Sequence, residues 1–245
     1  MSPFGVMFHH FHINEKKKYG QGSINEKEFE KIIIFLKKNF QILAPAKWIH
    51  QLRKKKLKKK DICLTFDDAL LSQYDIALKV LNKHKLKAFW FIYSSVFHGK
   101  LDDFEIQRKF RSIYYKNFED FFQDFQTYLD KSLTFKKKIK YKKYFKSMNK
   151  FYPIYSKTDI EFRYIRDYVL KKNEYDKILS KMMVKKKTTK KKLSKNLWLT
   201  NSHLKKLSNK DHIIGLHAYN HPYKLAELNF NDQQNEINKN YIHLN

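Results

Sequence analysis

A single cysteine stands in 245 residues. Cys63 has no partner for an intramolecular disulfide, and a thiolate metal cluster is excluded. A reducing compartment fits this usage, and the chain is read as cytoplasmic. No signal-like or membrane-spanning run opens the sequence: Met1 to Phe8 lacks a basic segment, and its apolar part is too short for a secretory signal or a membrane span. Arginine is also scarce. Of 52 basic residues only Arg53, Arg108, Arg111, Arg163 and Arg166 carry the planar guanidinium that phosphate and base recognition favour. Specific nucleic-acid binding is therefore not expected, although a net charge of +28 gives nonspecific attraction to polyanions at low salt. Five glycines and four prolines among abundant Lys, Asn, Ile, Phe and Tyr are what an A+T-biased genome writes, which places much of the charge on solvated faces.

What is present is a chain long enough for one large α/β domain, or a domain with an insertion. Phe4 to Phe8 reads as a buried strand delivering His9, His10 and His12 at its end. After a polar loop, Ser23 and Glu26 have capping-box spacing, followed by Phe29, Ile32, Ile33 and Leu36 at helical spacing. Gln41 to Leu43 is a short strand, and Trp48 to Leu52 a brief amphipathic helix. Asp61 to Phe66 and Ala88 to Tyr93 are continuous apolar strands, with a helix through Tyr74, Ala77, Leu78 and Leu81 between them. This alternation predicts a parallel sheet covered on both faces.

From Asp102 to Lys192 strand-like runs vanish, and aromatics recur at helical spacing among lysines. That segment is read as a helical insertion whose aromatics pack a core, with Thr158 and Glu161 as a second capping box. The expected division is 1–101, 102–192 and 193–245. Beyond the insertion, Thr200 caps a helix, Ile213 to Leu216 forms a strand, and Asp232 to Leu244 a last amphipathic helix.

Two features carry chemistry. Asp67 and Asp68 end an apolar strand, where adjacent carboxylates repel and are poorly hydrated. Either they begin a solvated turn that caps the next helix, or a cation neutralises them. His217 and His221 form an i, i+4 pair after another buried strand, presenting two imidazoles on one side of a turn. The C-terminal ends of parallel strands share one face of a sheet or barrel, so one carboxylate and two imidazoles can meet there as an open metal site.

The sequence Thr65-Phe66-Asp67-Asp68, followed far downstream by His217-x-x-x-His221-Pro222, resembles the NodB-homology polysaccharide deacetylases, carbohydrate esterase family 4. Lys87 to Phe91, Asp211 to His217 and Met7 to Phe11 are similar to segments flanking those motifs, so the likeness covers roughly 1–100 and 196–245. It implies a distorted, incomplete (β/α) barrel carrying a large helical insertion, and hydrolysis of an N-acetyl, less often an O-acetyl, group of a carbohydrate substrate. Asp68, His217 and His221 would bind zinc or another divalent ion, with Asp67 as general base. His9 and His10 are expected behind the ligands or facing substrate.

The chain departs from the family pattern at Ala69, where glycine is usual, and at Ala218, where Ser or Thr supplies a loop hydrogen bond. The strand-to-helix turn at Ala69 is therefore expected to avoid a glycine-only conformation. No arginine follows Arg166 and no proline follows Pro222, so the family's later Arg-x-x-x-Pro motif is missing. A truncated or impaired deacetylase is one expectation, with self-association or a partner at the open sheet edge. The alternative is a non-catalytic basic protein binding an acidic glycan, a lipid surface or nucleic acid.

Overall fold

The computed structural model describes residues 2–13, 22–130, 139–222 and 224–245. Most of the polar loop expected before Ser23, and positions 131–138 of the expected insertion, lie outside the described residues. The chain divides into two compact units, Met1–Ile106 with Ser194–Asn245, and Gln107–Leu193.

The first unit opens with β1 (Phe4–Phe8), α1 (Glu26–Asn39), β2 (Gln41–Ile42) and α2 (Pro45–Arg53). The expected capping residues of α1 are displaced by two positions. Asn25 is the cap, accepting from the Glu28 N–H at 2.9 Å, while Glu28 accepts from the Asn25 N–H at 2.7 Å. Ser23 instead bonds the buried His12 Nδ1 at 2.8 Å. Asparagine matches serine as a cap, and its reciprocal glutamate lies three residues on, so the local chemistry supports this register equally well. The helix buries Phe29, Ile33 and Leu36, one stripe of its surface.

Next come β3 (Asp61–Asp67), α3 (Leu78–Lys83), β4 (Phe89–Ile92) and α4 (Asp103–Tyr114), within which the division between units falls. β3 is unbroken hydrophobicity because parallel strands flank it: Val6 pairs with Leu64 on β1, and Phe66 with Trp90 on β4. β2 pairs only with its first two residues. Phe66 and Trp90 stack at 4.5 Å in the centre of the core.

The second unit is helical, with α5 (Phe118–Gln126), α6 (Ile139–Phe151), α7 (Lys157–Tyr164), α8 (Lys172–Lys185) and α9 (Lys190–Ser194). Part of its aromatic set is core, with Phe110, Phe121, Phe125 and Phe162 fully buried, while Phe151, Tyr152 and Tyr168 are exposed. Ser156 and Asp159, rather than Thr158 and Glu161, make the capping box of α7. Asp159 is short enough to reach back to the Ser156 N–H and closes the motif two positions earlier.

The first unit resumes with α10 (Asn201–Ser208), capped by Thr200, then β5 (Ile213–Leu216) and α11 (Phe230–Leu244). All pairings in the sheet are parallel, in the order β1-β3-β4-β5. Among the described residues β1 and β5 do not pair with each other, so the sheet stays open. The ends of β1, β3, β4 and β5 deliver His9, Asp68, Tyr93 and His217 to one edge of this α/β layer.

Candidate active site

Asp67 is the last residue of β3, and the chain turns sharply after it. Asp68 lies at φ 75° and Ala69 at φ 54°, both left-handed. The expectation that Ala69 avoids a glycine-like conformation is therefore overturned, at a cost of about 1–2 kcal/mol for an L-residue there. The surroundings hold the turn in place. The Leu199 N–H donates to the Ala69 carbonyl at 2.8 Å, and the Leu71 N–H to the Leu197 carbonyl at 2.9 Å. One side chain that sequence reasoning missed ties two strand ends together. Gln73, fully buried in a π-helical turn (Gln73–Ala77), donates through Nε2 to the carbonyls of His9, at 2.8 Å, and Asp67, at 2.5 Å. A lone glutamine has no sequence signature for this; only the fold brings those two carbonyls within its reach.

His217 follows β5 directly. Ala218 and His221 are again left-handed, at φ 62° and 54°. Ala218 has no side-chain hydroxyl to offer the loop, and α11 supplies hydrogen bonds to it. The Glu236 carboxylate accepts the backbone N–H groups of Tyr219 at 3.0 Å and Asn220 at 2.6 Å. One helical turn on, fully buried Asn240 accepts the His217 N–H at 3.0 Å and donates to the Ile92 carbonyl and to Ser94 Oγ. The i, i+4 spacing puts both side chains on the α11 face toward this loop. Neither residue stood out in the sequence, because an ordinary amphipathic helix contains many such polar positions.

These turns bring three sequence-predicted residues together. His217 Nε2 and His221 Nε2 each stand 3.3 Å from Asp68 Oδ1, which is buried and has no hydrogen-bond donor among the described residues. Burial works against charge on Asp68, but the imidazoles of His217, His221 and His9 bring its carboxyl down to about 2. Asp67 goes the other way: burial raises it, reinforced by the Asp68 charge. Two adjacent carboxyl groups are thus pushed apart in acidity, one held ionised and the other biased toward taking a proton.

Asp102, which also went unremarked in the sequence, stands behind His221, with Oδ2 3.5 Å from Nδ1. Burial disfavours the charged imidazole, yet the bond to Asp102 and the charges of Asp68, Asp102 and Glu105 raise His221 overall. Tyr93 stacks on the His221 ring at 4.8 Å, and its hydroxyl accepts from Trp198 Nε1 at 2.6 Å. The ring is held on one edge and one face. His9 Nε2 lies 3.8 Å from Asp68 Oδ2, with its side chain about a third exposed. His10 is turned inward, Nε2 3.1 Å from Glu105 Oε2. The two rings lie nearly parallel, with centroids 6.0 Å apart.

The trio suits a divalent ion. Two donors about 2.0–2.1 Å from a tetrahedral centre stand about 3.4 Å apart, close to the 3.3 Å seen here from Asp68 Oδ1 to each imidazole. One ionised oxygen and two nitrogens, with a carboxylate behind one imidazole, is a donor set with room left for solvent and substrate.

The family model described as polysaccharide deacetylase matches residues 54–114, the segment containing β3, the carboxylate pair and β4. Over that segment the chain is similar to polysaccharide deacetylases. The likeness in fold extends further. The Streptococcus pyogenes deacetylase PplD, solved in complex with acetate, superposes with a TM-score of 0.51 over 99% of this chain and 67% of its own, at 14% identity. IcaB from Ammonifex degensii matches at TM-score 0.36 and 21% identity over 45% of this chain and 49% of its own. A de-N-acetylase from Aggregatibacter actinomycetemcomitans matches at 0.35 and 18%, over 40% of each chain. No curated protein matches the chain. The fold is an α/β architecture built on a parallel sheet and is similar to that of PplD. No described helix is long and apolar enough to cross a membrane.

Proposed function

We propose that this chain is a metal-dependent hydrolase that removes N-acetyl groups from a carbohydrate, with Asp68, His217 and His221 as ligands and Asp67 as general base. The observation that carries the reading is the approach of both imidazole Nε2 atoms to one buried Asp68 oxygen at 3.3 Å. A bound divalent cation, zinc by preference for this donor set, would supply Lewis-acid polarisation and charge stabilisation.

The protein's own groups do the rest. Asp67, its acidity weakened by burial, accepts a proton from the attacking water as the water oxygen bonds to the acetyl carbon. Asp102 and Tyr93 fix His221 so that Nε2 faces Asp68. His9, the partly exposed imidazole 3.8 Å from Asp68 Oδ2, is assigned the proton that the amine needs as the carbon–nitrogen bond breaks and acetate departs. PplD holds acetate, the product such a reaction releases. The helical unit is read as an insertion into the deacetylase part.

The test is acetate release from N-acetylhexosamine oligomers by purified protein. The reading expects release that a chelator abolishes and added zinc restores. Protein that binds no divalent ion, or releases acetate equally well after chelation, would overturn it.

A further inference from the structure

The two edges of the parallel sheet differ in charge. All strands run the same way, so the loops that enter them gather at the edge opposite Asp67, Asp68 and His217. The entry to β3 is the most basic: 53–60 holds Arg53 and six lysines, all exposed around half-buried Leu57. Lys37 and Lys38 close α1 just before β2, whose Gln41 N–H donates to the Lys60 carbonyl at 2.9 Å, so these two loops adjoin. Lys85 and Lys87 lead into β4, and Lys205, Lys206 and Lys210 into β5. The Ile213 N–H donates to the Ala88 carbonyl at 3.3 Å, which joins those two entries.

Local chemistry accounts for part of this. Helix C-termini favour a lysine or two in the last turn, which covers Lys37, Lys38, Lys205 and Lys206. It does not cover the run from 54 to 60, which lies beyond α2. Among the described residues no lysine of that run makes an ion pair, and the next carboxylate, Asp61, is buried and accepts the Lys58 N–H at 2.7 Å. A codon bias toward lysine would load both edges alike. Among the described residues, however, the loops leaving the strands at the catalytic edge hold only Lys100 and Lys224, beside the carboxylates of Asp67, Asp68 and Asp102.

Apolar side chains stand among the charges. Leu52, in the last turn of α2, is 56% exposed, and Phe35, near the end of α1, is 60% exposed. Lysines act as point charges, whereas the bidentate reading of bases and phosphates favours arginine, of which this edge has one. Spread lysine charge with protruding Leu and Phe suits a surface that is anionic outside and apolar just beneath. We propose that the edge built around 53–60 docks on an anionic lipid bilayer. β3 is seven residues long, about 20 Å at about 3.3 Å per residue, so docking holds the catalytic edge clear of the headgroups.

The experiment sediments full-length protein with vesicles of phosphatidylcholine alone, or of equal parts phosphatidylcholine and phosphatidylglycerol. Binding to the anionic vesicles only is expected, weakening as salt rises. A lysine at such a surface is worth about fivefold in partition, so changing Lys54, Lys56, Lys58 and Lys59 together to Gln should weaken it by more than about 100-fold. Changing the exposed Lys142, Lys143, Lys146 and Lys181 of the helical unit to Gln removes the same charge and should leave vesicle binding near wild type. Leu52→Ser should weaken it several-fold with an unchanged melt. No binding to anionic vesicles, or equal binding to both kinds, overturns the docking edge. An equal loss in the two lysine variants overturns it too, since net charge alone is then read. Tighter binding to a DNA duplex of random sequence than to anionic vesicles at the same salt, lost with Lys54, Lys56, Lys58 and Lys59, assigns the edge to nucleic acid and overturns the lipid partner. Acetate release from a soluble oligosaccharide should be the same in both lysine variants, so docking and catalysis fail separately.

Discussion

Asp102 Oδ2 stands 3.5 Å from His221 Nδ1, and the opposite nitrogen of the same ring stands 3.3 Å from Asp68 Oδ1. A carboxylate behind an imidazole sets which nitrogen is presented and makes it a better donor. Asp102→Asn should weaken divalent-ion affinity by about 10–100-fold with the melting temperature little changed. Competition against a chelating dye reads this directly. An unaltered affinity would mean that Tyr93 stacking alone orients the ring.

The loop carrying both histidines is ordered from α11. Asn240→Ala removes the acceptor of the His217 N–H and the donor to Ile92 and Ser94, all in the interior. Unmet buried partners cost about 1–3 kcal/mol, so the variant should melt measurably earlier and bind the ion less tightly. Glu236→Gln keeps one carbonyl acceptor for the Tyr219 and Asn220 N–H groups and should be milder. If the two variants are equally mild, the clamp is not what shapes the loop.

These residues show what was legible in the sequence and what was not. Continuous apolar runs ending in Asp67-Asp68 and His217-x-x-x-His221 announced a parallel sheet with a site at one edge, because strand ends are local signals. The division of roles between the two aspartates was expected only through a family likeness. Asp102, Gln73, Glu236 and Asn240 were invisible, since each acts on groups 6 to 148 positions away that only the fold brings near. Ala69 misled for the opposite reason: local preference argues against φ 54°, but backbone pairing with Leu199 overrides it.

His212 sets an acid limit on the fold. Buried just before β5, its Nδ1 accepts the Ala88 N–H at 3.1 Å and Trp90 Nε1–H at 3.3 Å, a role open only to the neutral ring. Burial, aided by Lys87, lowers its pKa from 6.5 to about 4. The unfolded chain therefore binds this proton more readily than the folded one between those values. The contribution is fully present above about pH 6.5 and is lost as the pH falls toward 4. Denaturant unfolding across that window should show stability dropping in the wild type, and a smaller drop in His212→Gln.

Gly215 on β5 leaves room for the Phe91 ring of β4. A methyl group there would meet the Phe91 ring at 2.5 Å. Gly215→Ala should destabilise by about 1–3 kcal/mol through overpacking, read as an earlier melt. It should also loosen the loop beginning two residues later, at His217. A wild-type melt would show that Phe91 moves aside freely.

The most direct measurement compares acetate release by zinc-loaded wild type and Asp67→Asn on the same N-acetylated oligosaccharide. Removing a general base costs about 10²–10⁴ in rate, so Asp67→Asn should keep its zinc and lose that factor. A variant that binds zinc and releases acetate at the wild-type rate would contradict the assignment of Asp67 as the base.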